Sequence, residues 1–412
     1  MEIKLEHMNR EESAAPDACA RFTEPEPLGR RAWFLHLCDG ALAAGALLVS
    51  GPLGCWSCAA DEKQAGLIVR SPRPLDLETP VEAFDQWLTP NRLFFVRSHF
   101  GAPAVTLAPW RLEIEGPEHR VLALDLDDLK PMEQVTVRSV LQCSGNGRGF
   151  FEPIVPGVRW ERGAVGNADW TGVRLSDLLE RAGLRGRSGH VHLLGADAPP
   201  SAKTPAFQRS IPIDRAVDPN TLVATQMNGE ALPWLQGGPM RLVVPGWTGN
   251  HWVKWLRRIS VAPTEAGGFY MQTAYRMPRS PVPPGVDVKP DDLVPVTALN
   301  VKSLIVSPLA GARLPAGKHE VRGVAWTGAG HVTRVELSTG GDSTWQNATL
   351  LGDARPYSWR LWRSTWNAQK PGRYLIRVRA TDSNGQVQPE TTTWNKSGYL
   401  WNGIDEVSCE IR

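Results

Sequence analysis

The sequence lacks an excess of charge of either sign, since its 412 residues carry a formal net charge of only +2. Nothing in that balance favours nucleic acid or an acidic membrane surface as a main partner. Low-complexity runs are also absent, although glycine (39) and proline (34) are abundant, a composition typical of loop-rich β or α+β proteins. Hydrophobic residues make up 42% of the chain, enough for a substantial core and for two or three domains.

Cysteine is scarce beyond residue 58, where only Cys143 and Cys409 remain. Cys55 and Cys58 have the spacing of a redox or zinc motif, but no second pair follows, which excludes a zinc ribbon. The residue after Cys58 is Ala59, so there is no Cys-x-x-Cys-His haem-attachment motif and we expect no haem of the protein's own. A disulfide between Cys143 and Cys409 stays open as a structural alternative.

Residues 1–60 have the pattern of a disordered N-terminus followed by an export leader. Arg30-Arg31 precedes a small-residue apolar run over residues 41–53, and the small residues 58–60 offer a cleavage site. The pattern predicts a twin-arginine route to the periplasm, with one residue more than usual between the arginine pair and the following Phe-Leu. A membrane signal anchor is the alternative, which Pro52 and the neighbouring glycines disfavour.

Residues 61–276 are predicted to form one mixed α+β domain. The segment Leu93–His99 has the residues of a strand that ends in polar groups. Residues 171–184 have helical spacing of their leucines and predict a helix. Val191–Gly195 and Arg241–Pro245 predict short buried strands, each followed by a loop containing glycine or proline, where functional sites are usually placed.

Residues 277–296 contain six prolines and predict a stiff linker. Beyond it, residues 297–412 change to short strands separated by turns, such as Thr333–Ser338 and Arg373–Ala380, in which apolar and polar side chains alternate. Several such strands within about 110 residues predict an antiparallel β-sandwich. Its aromatic core is expected to include Trp359 and Trp362.

Cys143 lies where a short apolar segment meets a glycine-rich loop. The three glycines that follow by residue 149 keep side chains off the backbone, as a loop must when a ligand approaches closely. Arg148 can place a positive charge near the sulfur, which favours the thiolate that binds metals or attacks electrophiles. The alternative is a buried structural cysteine at a strand end.

Four segments resemble the sulfite oxidase family of molybdopterin enzymes: Phe94–His99, Leu141–Arg148, Phe207–Pro212 and Val243–Leu256. The resemblance covers about residues 67–410. Within the family, the sequence looks most like the bacterial exported sulfite dehydrogenases, which lack an internal haem domain. It implies a molybdopterin-binding domain of sulfite oxidase type, followed by an immunoglobulin-like domain that makes a homodimer.

The resemblance also implies roles for individual residues. Cys143 is the thiolate ligand of molybdenum, a soft ligand for a metal already held by the pterin's sulfurs. Arg97 and Arg148 are active-site arginines, whose forked donors suit an anion such as sulfite. The cofactor-binding residues are Arg97, His99, Cys143, Asp197, Gln236, Arg241, Trp252, Val253 and Lys254, with backbone N–H groups of the last three expected to help hold the phosphate.

This sequence departs from the family pattern near the pocket. Phe207 stands where the family has an active-site tyrosine, and Gln236 where it has a histidine. Asp169 and Ser397 stand where animal enzymes have arginines. Arg209 and, more distantly, Lys203 are candidates to restore the lost positive charge because both lie close to Phe207 in sequence.

The predicted function is molybdenum-dependent oxidation of sulfite to sulfate by oxo transfer, with electrons leaving to a separate c-type cytochrome. Three alternatives remain open. The first is a sulfane dehydrogenase subunit that acts on protein-bound sulfur, which Phe207 and the reduced charge favour. The second is reductive oxo transfer from nitrate or a sulfoxide. The third is an exported binding protein in which Cys143 is disulfide-bonded.

Overall fold

The computed structural model describes residues 66–104, 109–184, 186, 188–340 and 344–412. The predicted leader and the Cys55–Cys58 pair lie outside these residues. The described part is mostly β-structure with a few short helices. None of its helices is long and apolar enough to cross a membrane.

The N-terminal lobe contains fourteen strands and four short helices among the described residues. The strands are β1 (Ile68–Pro72), β2 (Leu75–Glu78), β3 (Leu112–Glu115), β4 (Val121–Leu124), β5 (Val135–Gln142), β6 (Val165–Arg174), β7 (His190–Gly195), β8 (Gln208–Pro212), β9 (Leu222–Met227), β10 (Glu230–Ala231), β11 (Arg241–Val243), β12 (Leu256–Ala262), β13 (Arg276–Pro278) and β14 (Leu293–Pro295). The helices are α1 (Leu126–Leu129), α2 (Leu175–Arg181), α3 (Ile213–Ala216) and α4 (Phe269–Gln272).

Two five-stranded sheets carry this lobe. One has the order β10-β9-β6-β5, with β11 also paired to β9, and the other has the order β4-β3-β12-β7-β8. Side chains of both sheets, including Ala168 of β6 and Ile259 of β12, share one large hydrophobic core. The predicted strands at residues 191–195 and 241–245 are confirmed as β7 and β11. Because β5 and β11 end beside the core, the loops after them are anchored on rigid structure.

Two local predictions were wrong. The predicted helix at residues 171–184 begins only at Leu175, because β6 continues to Arg174 and is hydrogen-bonded to β5 on one side and β9 on the other. The segment Leu93–His99 is not a strand: a 3₁₀ turn ends at Leu93, and the extended backbone beyond it makes one isolated bridge, from Val96 to Leu77. In both segments the secondary structure depends on hydrogen bonding to other strands, which the spacing of apolar residues along the sequence does not indicate.

The C-terminal lobe is a two-sheet sandwich of nine strands within the described residues. They are β15 (Lys302–Ser307), β16 (Ala312–Leu314), β17 (Gly317–Trp326), β18 (Val332–Ser338), β19 (Gln346–Asn347), β20 (Thr349–Leu350), β21 (Arg360–Ala368), β22 (Gly372–Asp382) and β23 (Asp405–Ile411). The sheets have the orders β15-β17-β21-β20 and β16-β23-β22-β18-β19, and apolar side chains from both form one core. The alternation predicted for residues 333–338 and 373–380 is confirmed in β18 and β22.

The aromatic residues expected in the sandwich core are divided between two clusters. Trp362 lies in that core, whereas Trp359 packs with Phe84 and Val140 of the N-terminal lobe. Cys409 is buried in the sandwich core as a free thiol, and Cys143 is also free. The expected alternative of a Cys143–Cys409 disulfide is therefore wrong.

The proline-rich segment 277–296 connects the lobes. Its two ends pair with each other, because β13 and β14 form an antiparallel ladder. Val296, at its end, is fully buried beside Tyr275 in a small hydrophobic cluster. The segment predicted as a stiff linker is thus held against the body of the protein at both ends.

Candidate active site

Cys143 follows the last residue of β5 and faces a cleft in the N-terminal lobe. Its backbone N–H donates to the carbonyl of Ala164 at 2.9 Å, and its carbonyl accepts from the N–H of Asn146 at 3.0 Å. Gly147 closes the turn with a φ of +88°, a conformation that glycine adopts without strain. The loop therefore holds the sulfur at the edge of the sheet with its backbone already hydrogen-bonded.

The pKa of the Cys143 thiol is raised, because burial penalises the thiolate. The positive charges of Arg148 and Arg97 oppose this effect. The sequence predicted the direction in which Arg148 acts, but not that burial outweighs it. A thiol of this kind becomes a thiolate when a metal ion replaces its proton.

Arg97 lines the cleft and is held by its own neighbours. One guanidinium nitrogen, Nη1, donates to Asp76 Oδ1 at 3.1 Å and to the carbonyl of Ser98 at 2.8 Å. Asp76 is only 1% exposed; burial raises its pKa, and Arg97 opposes the rise. The ion pair fixes the orientation of Arg97 and offsets part of its charge.

Arg148 occupies a slot between three glycines rather than the cleft wall. Its Nε donates to the carbonyl of Ser397 at 3.0 Å, and its Nη1 donates to the carbonyl of Val158 at 3.2 Å. A Cβ added at Gly145 would lie 2.6 Å from the guanidinium carbon. A side chain at Gly145 would therefore displace the guanidinium, which joins the Cys143 loop to the C-terminal lobe.

His99 and Phe207 stack face to face on the cleft wall, with ring centroids 4.4 Å apart. The Tyr275 hydroxyl also lines the cleft and is hydrogen-bonded to His99 Nε2 at 2.8 Å. Burial and the nearby charge of Arg97 lower the pKa of His99 well below its usual value, so the ring is neutral. Burial also raises the pKa of Tyr275, which keeps its phenol protonated.

Buried charged side chains also line the cleft. Arg241 donates to the carbonyls of Gln236 and Trp252 at 2.8 and 3.0 Å, and burial lowers its pKa to about 9. Burial lowers the pKa of Lys254 to about 7, with the charge of Arg241 acting in the same direction. Burial raises the pKa of Asp197 to about 6, against the charge of Lys254. The charges of Arg241, Arg97, Asp197 and Asp76 all act on Lys254, so three cations stand near two carboxylates. This balance suits a further anion such as a phosphate.

Gln236 and residues of the loop after Gly249 also line the cleft. The Gln236 amide donates to the carbonyls of Phe94 and Phe95 at 3.1 and 2.9 Å, so it supports the segment that leads to Arg97. The Trp252 N–H donates to the carbonyl of Gly249 at 3.1 Å. This N–H is therefore engaged within the loop, and the expectation that the N–H groups of Trp252, Val253 and Lys254 help hold a phosphate stays a prediction.

Arg209 is fully buried behind the cleft wall. Its guanidinium carbon lies 5.3 Å from the centroid of the Tyr275 ring, and its Nη2 lies 3.3 Å from Nε2 of His251. Two of its nitrogens, Nε and Nη1, have no partner within the described residues. Burial lowers the pKa of Arg209 to about 10, which leaves it charged at neutral pH.

The cleft has an open volume of about 650 Å³. It brings together nine of the residues predicted from the sequence: Arg97, His99, Cys143, Asp197, Phe207, Gln236, Arg241, Trp252 and Lys254. Arg148, Arg209 and Val253 lie outside the residues that line it. The Asp169 carboxylate is paired: Arg138 donates to its two oxygens at 2.7 and 2.8 Å. Asp169 is also not among the residues that line the cleft.

Several residues of the site were missed by reasoning from the sequence. Tyr275 and Trp255 line the cleft, and both have a positive φ, of 57° and 49°, which is uncommon for bulky side chains and frequent at functional sites. The available signal for Tyr275 was the group of aromatic residues just before the proline-rich segment 277–296. Asp76 gave no signal, since it lies on a short strand far from Arg97 in sequence.

The described residues contain no group of three or more His, Cys, Asp or Glu side chains that could hold a metal ion. A single cysteine in the cleft fits a metal whose other ligands come from an organic cofactor. Arg241 and Lys254, which also line the cleft, fit the phosphate of such a cofactor.

Residues 99–270 match the oxidoreductase molybdopterin binding domain, and residues 294–409 match the Mo-co oxidoreductase dimerisation domain. The chain is 38% identical to a sulfite oxidase of Gallus gallus over 360 residues, which are 82% of this chain and 76% of that protein. It is 37% identical to the mitochondrial sulfite oxidase of Homo sapiens, covering 85% of this chain and 66%, about two thirds, of the relative. The solved structure of the sulfane dehydrogenase SoxCD from Paracoccus pantotrophus matches with a TM-score of 0.72 at 28% identity, covering 88% of this chain and 92% of that chain.

Proposed function

The chain belongs to the sulfite oxidase family of molybdopterin oxidoreductases, and from that premise we propose that it oxidises sulfite to sulfate and passes the electrons to an external c-type cytochrome. The molybdenum cofactor supplies the two-electron oxo-transfer chemistry on sulfur compounds. The protein's own part is to hold that cofactor, orient the substrate and exclude water.

The residues of the cleft fit this cofactor. Cys143 offers one soft ligand to the metal, and its backbone is already fixed by two hydrogen bonds. Lys254 and Arg241 would hold the phosphate, which supplies the negative charge that these buried cations lack. The remaining contacts along the pterin fall to Asp197, Gln236, Trp252 and His99, all of which line the cleft. Val253 would support them from behind, through its backbone bond to Leu242.

The observation that carries the proposal is the placement of Arg97 on the same cleft as Cys143. The bonds to Asp76 and Ser98 use Nη1, so the other guanidinium nitrogens are free to bind an anionic substrate near the sulfur. The protonated phenol of Tyr275, hydrogen-bonded to His99, adds a neutral polar group to the same wall. Arg148 positions the Cys143 loop, and Arg209 adds positive charge from behind Tyr275.

The electron acceptor and the assembly are proposed on separate grounds. The sequence contains no Cys-x-x-Cys-His motif, which supports transfer to a separate cytochrome. The match to the Mo-co dimerisation domain supports a homodimer through residues 297–412, with the sandwich acting as the immunoglobulin-like domain of the family. The leader-like pattern in residues 1–60 supports export to the periplasm.

The test is sulfite-dependent reduction of cytochrome c by the molybdenum-loaded protein over a range of sulfite concentrations. Saturable turnover is the expected result. No turnover in a preparation with one molybdenum per chain would contradict the proposal.

A second candidate is sulfane dehydrogenase activity on protein-bound sulfur. The SoxCD structure is named for that activity, and Phe207 makes the cleft wall less polar than a tyrosine would. Turnover of a persulfide carried on a protein thiol, without turnover of sulfite, would favour this second function.

A further inference from the structure

An aromatic surface leads from the cleft wall out to solvent. Phe207 and His99 line the cleft, and both rings contact Tyr270, at centroid distances of 5.1 and 4.7 Å. Tyr270 in turn contacts Phe100 at 6.1 Å and Phe269 at 5.2 Å. Phe269 is 45% exposed, so the series reaches the surface. We name these five residues, His99, Phe100, Phe207, Phe269 and Tyr270, the aromatic collar.

The collar carries no charge near neutral pH. Burial and the neighbouring cations keep His99 neutral by lowering its pKa, and its Nε2 is occupied by the Tyr275 hydroxyl. Burial raises the pKa of Tyr270, so its phenol stays protonated. A small hydrated dianion gains nothing from such a surface, whereas an apolar or aromatic group gains from burial and ring contacts.

The positive charge beside Cys143 is also limited. Arg97 lines the cleft with Cys143, and Asp76 offsets part of its charge. Lys254 lines the same cleft, but burial lowers its pKa to about 7, so it carries only part of its charge near neutral pH. Arg148 is committed to the carbonyls of Ser397 and Val158, and Arg209 lies behind the Tyr275 ring. The limited positive charge therefore suits a singly charged sulfur oxyanion. The aromatic collar suits an oxyanion that carries a carbon substituent.

We propose that this site also oxidises organic sulfinates to sulfonates, with the substituent bound against the aromatic collar and the sulfinate oxygens bound by Arg97. The proposal rests on the oxo-transfer function above. In the balanced step, R–SO₂⁻ and water give R–SO₃⁻, two protons and two electrons. The sulfur lone pair forms a new sulfur–oxygen bond, and the oxygen comes in the end from water. The two electrons pass one at a time to the same external acceptor.

The activity test compares benzenesulfinate, methanesulfinate and sulfite as substrates of the molybdenum-loaded enzyme, with a one-electron dye as acceptor and the enzyme-free rate subtracted. We expect benzenesulfinate to have the lower KM of the two sulfinates, by about tenfold, because only its ring fills the collar. Tyr270→Leu removes a ring but keeps an apolar side chain of similar reach. It should raise the KM for benzenesulfinate by about fivefold and leave the KM for methanesulfinate and sulfite within about twofold.

Tyr374→Leu is the matched control, because Tyr374 packs against the sandwich core and bonds to the carbonyl of Lys370. It should leave all three substrates unchanged. Binding gives a second readout: calorimetric titration with the product benzenesulfonate should show weakened binding in Tyr270→Leu and unchanged binding in Tyr374→Leu.

The outcomes separate the two proposals. Oxidation of sulfite without oxidation of either sulfinate would overturn the sulfinate activity and leave the sulfite function standing. Oxidation of benzenesulfinate at the same KM in wild type and Tyr270→Leu would overturn the role of the collar. Failure of all three substrates, with molybdenum present, would overturn the proposed function itself.

Discussion

The slot around Arg148 makes Gly145→Ala the most informative substitution in the Cys143 loop. The new Cβ would lie 2.6 Å from the Arg148 guanidinium carbon and from both terminal nitrogens, a distance at which the side chain must move. Because Gly145 does not have a positive φ, the change adds a steric clash without backbone strain. Its effect therefore reports on the position of Arg148 alone.

The magnitude follows from the bonds that Arg148 would lose. Its bonds to the carbonyls of Ser397 and Val158 involve a charged donor, and overpacking of a filled site adds to their loss. We expect the free energy of unfolding to fall by roughly 2–4 kcal/mol, because one or both bonds break and the clash is only partly relieved. Turnover should fall as well, since the displaced arginine no longer fixes the loop that carries Cys143.

The control is Gly267→Ala, because a Cβ at Gly267 meets no atom within 4 Å. Chemical denaturation of the two variants and the wild type, with molybdenum content and sulfite turnover measured on the same preparations, gives the comparison. If Gly145→Ala matched Gly267→Ala in stability and in turnover per molybdenum, Arg148 would not be the element that positions the loop.

Three further predictions follow. Cys143→Ser should abolish turnover and leave the circular dichroism spectrum unchanged, because the hydroxyl lacks the soft thiolate character that the metal requires; sulfite oxidation by that variant would refute the metal-ligand assignment. Phe207→Tyr should lower the KM for sulfite by about three- to tenfold, because it adds a hydroxyl donor to the cleft wall; an unchanged KM would contradict a substrate contact at this position. Burial raises the folded-state pKa of Asp197 to about 6, above its value of about 4 in the unfolded chain. The ionised carboxylate therefore destabilises the cofactor-free protein, and this loss of stability grows as the pH rises from about 4 through 6. Asp197→Asn should therefore gain stability relative to wild type over that interval in thermal melts of the cofactor-free protein, and a constant difference would contradict the cause given for the shift.

The sequence was informative where residue type and spacing alone determine the outcome. The alternation in residues 373–380 predicted β22, and the junction at Cys143 predicted a loop at a strand end. Nine predicted residues line one cleft, some on loops after strands, as Cys143 after β5, and others at the start of a strand, as Arg241 in β11.

The misses have a common physical origin in contacts between distant segments. The helix predicted from Thr171 is a strand up to Arg174 because two neighbouring strands pair with it. Arg148 and Arg209 do not line the cleft, because Arg148 lies in a slot between glycines and Arg209 lies against the Tyr275 ring. Asp76 could not be connected to Arg97 without knowing that the two segments meet.

The Cys143 loop is completed by residues from the far end of the chain. Leu400 N–H donates to the carbonyl of Ser144 at 2.8 Å, the Trp401 side chain covers Gly147, and the Trp326 indole N–H donates to the Gln142 side chain at 2.8 Å. Arg148 and Ser397, which also join here, are 249 residues apart in sequence. During synthesis, the loop therefore reaches its final shape only after Leu400 and Trp401 have left the ribosome. A metal cofactor that depends on this loop would be inserted after that stage.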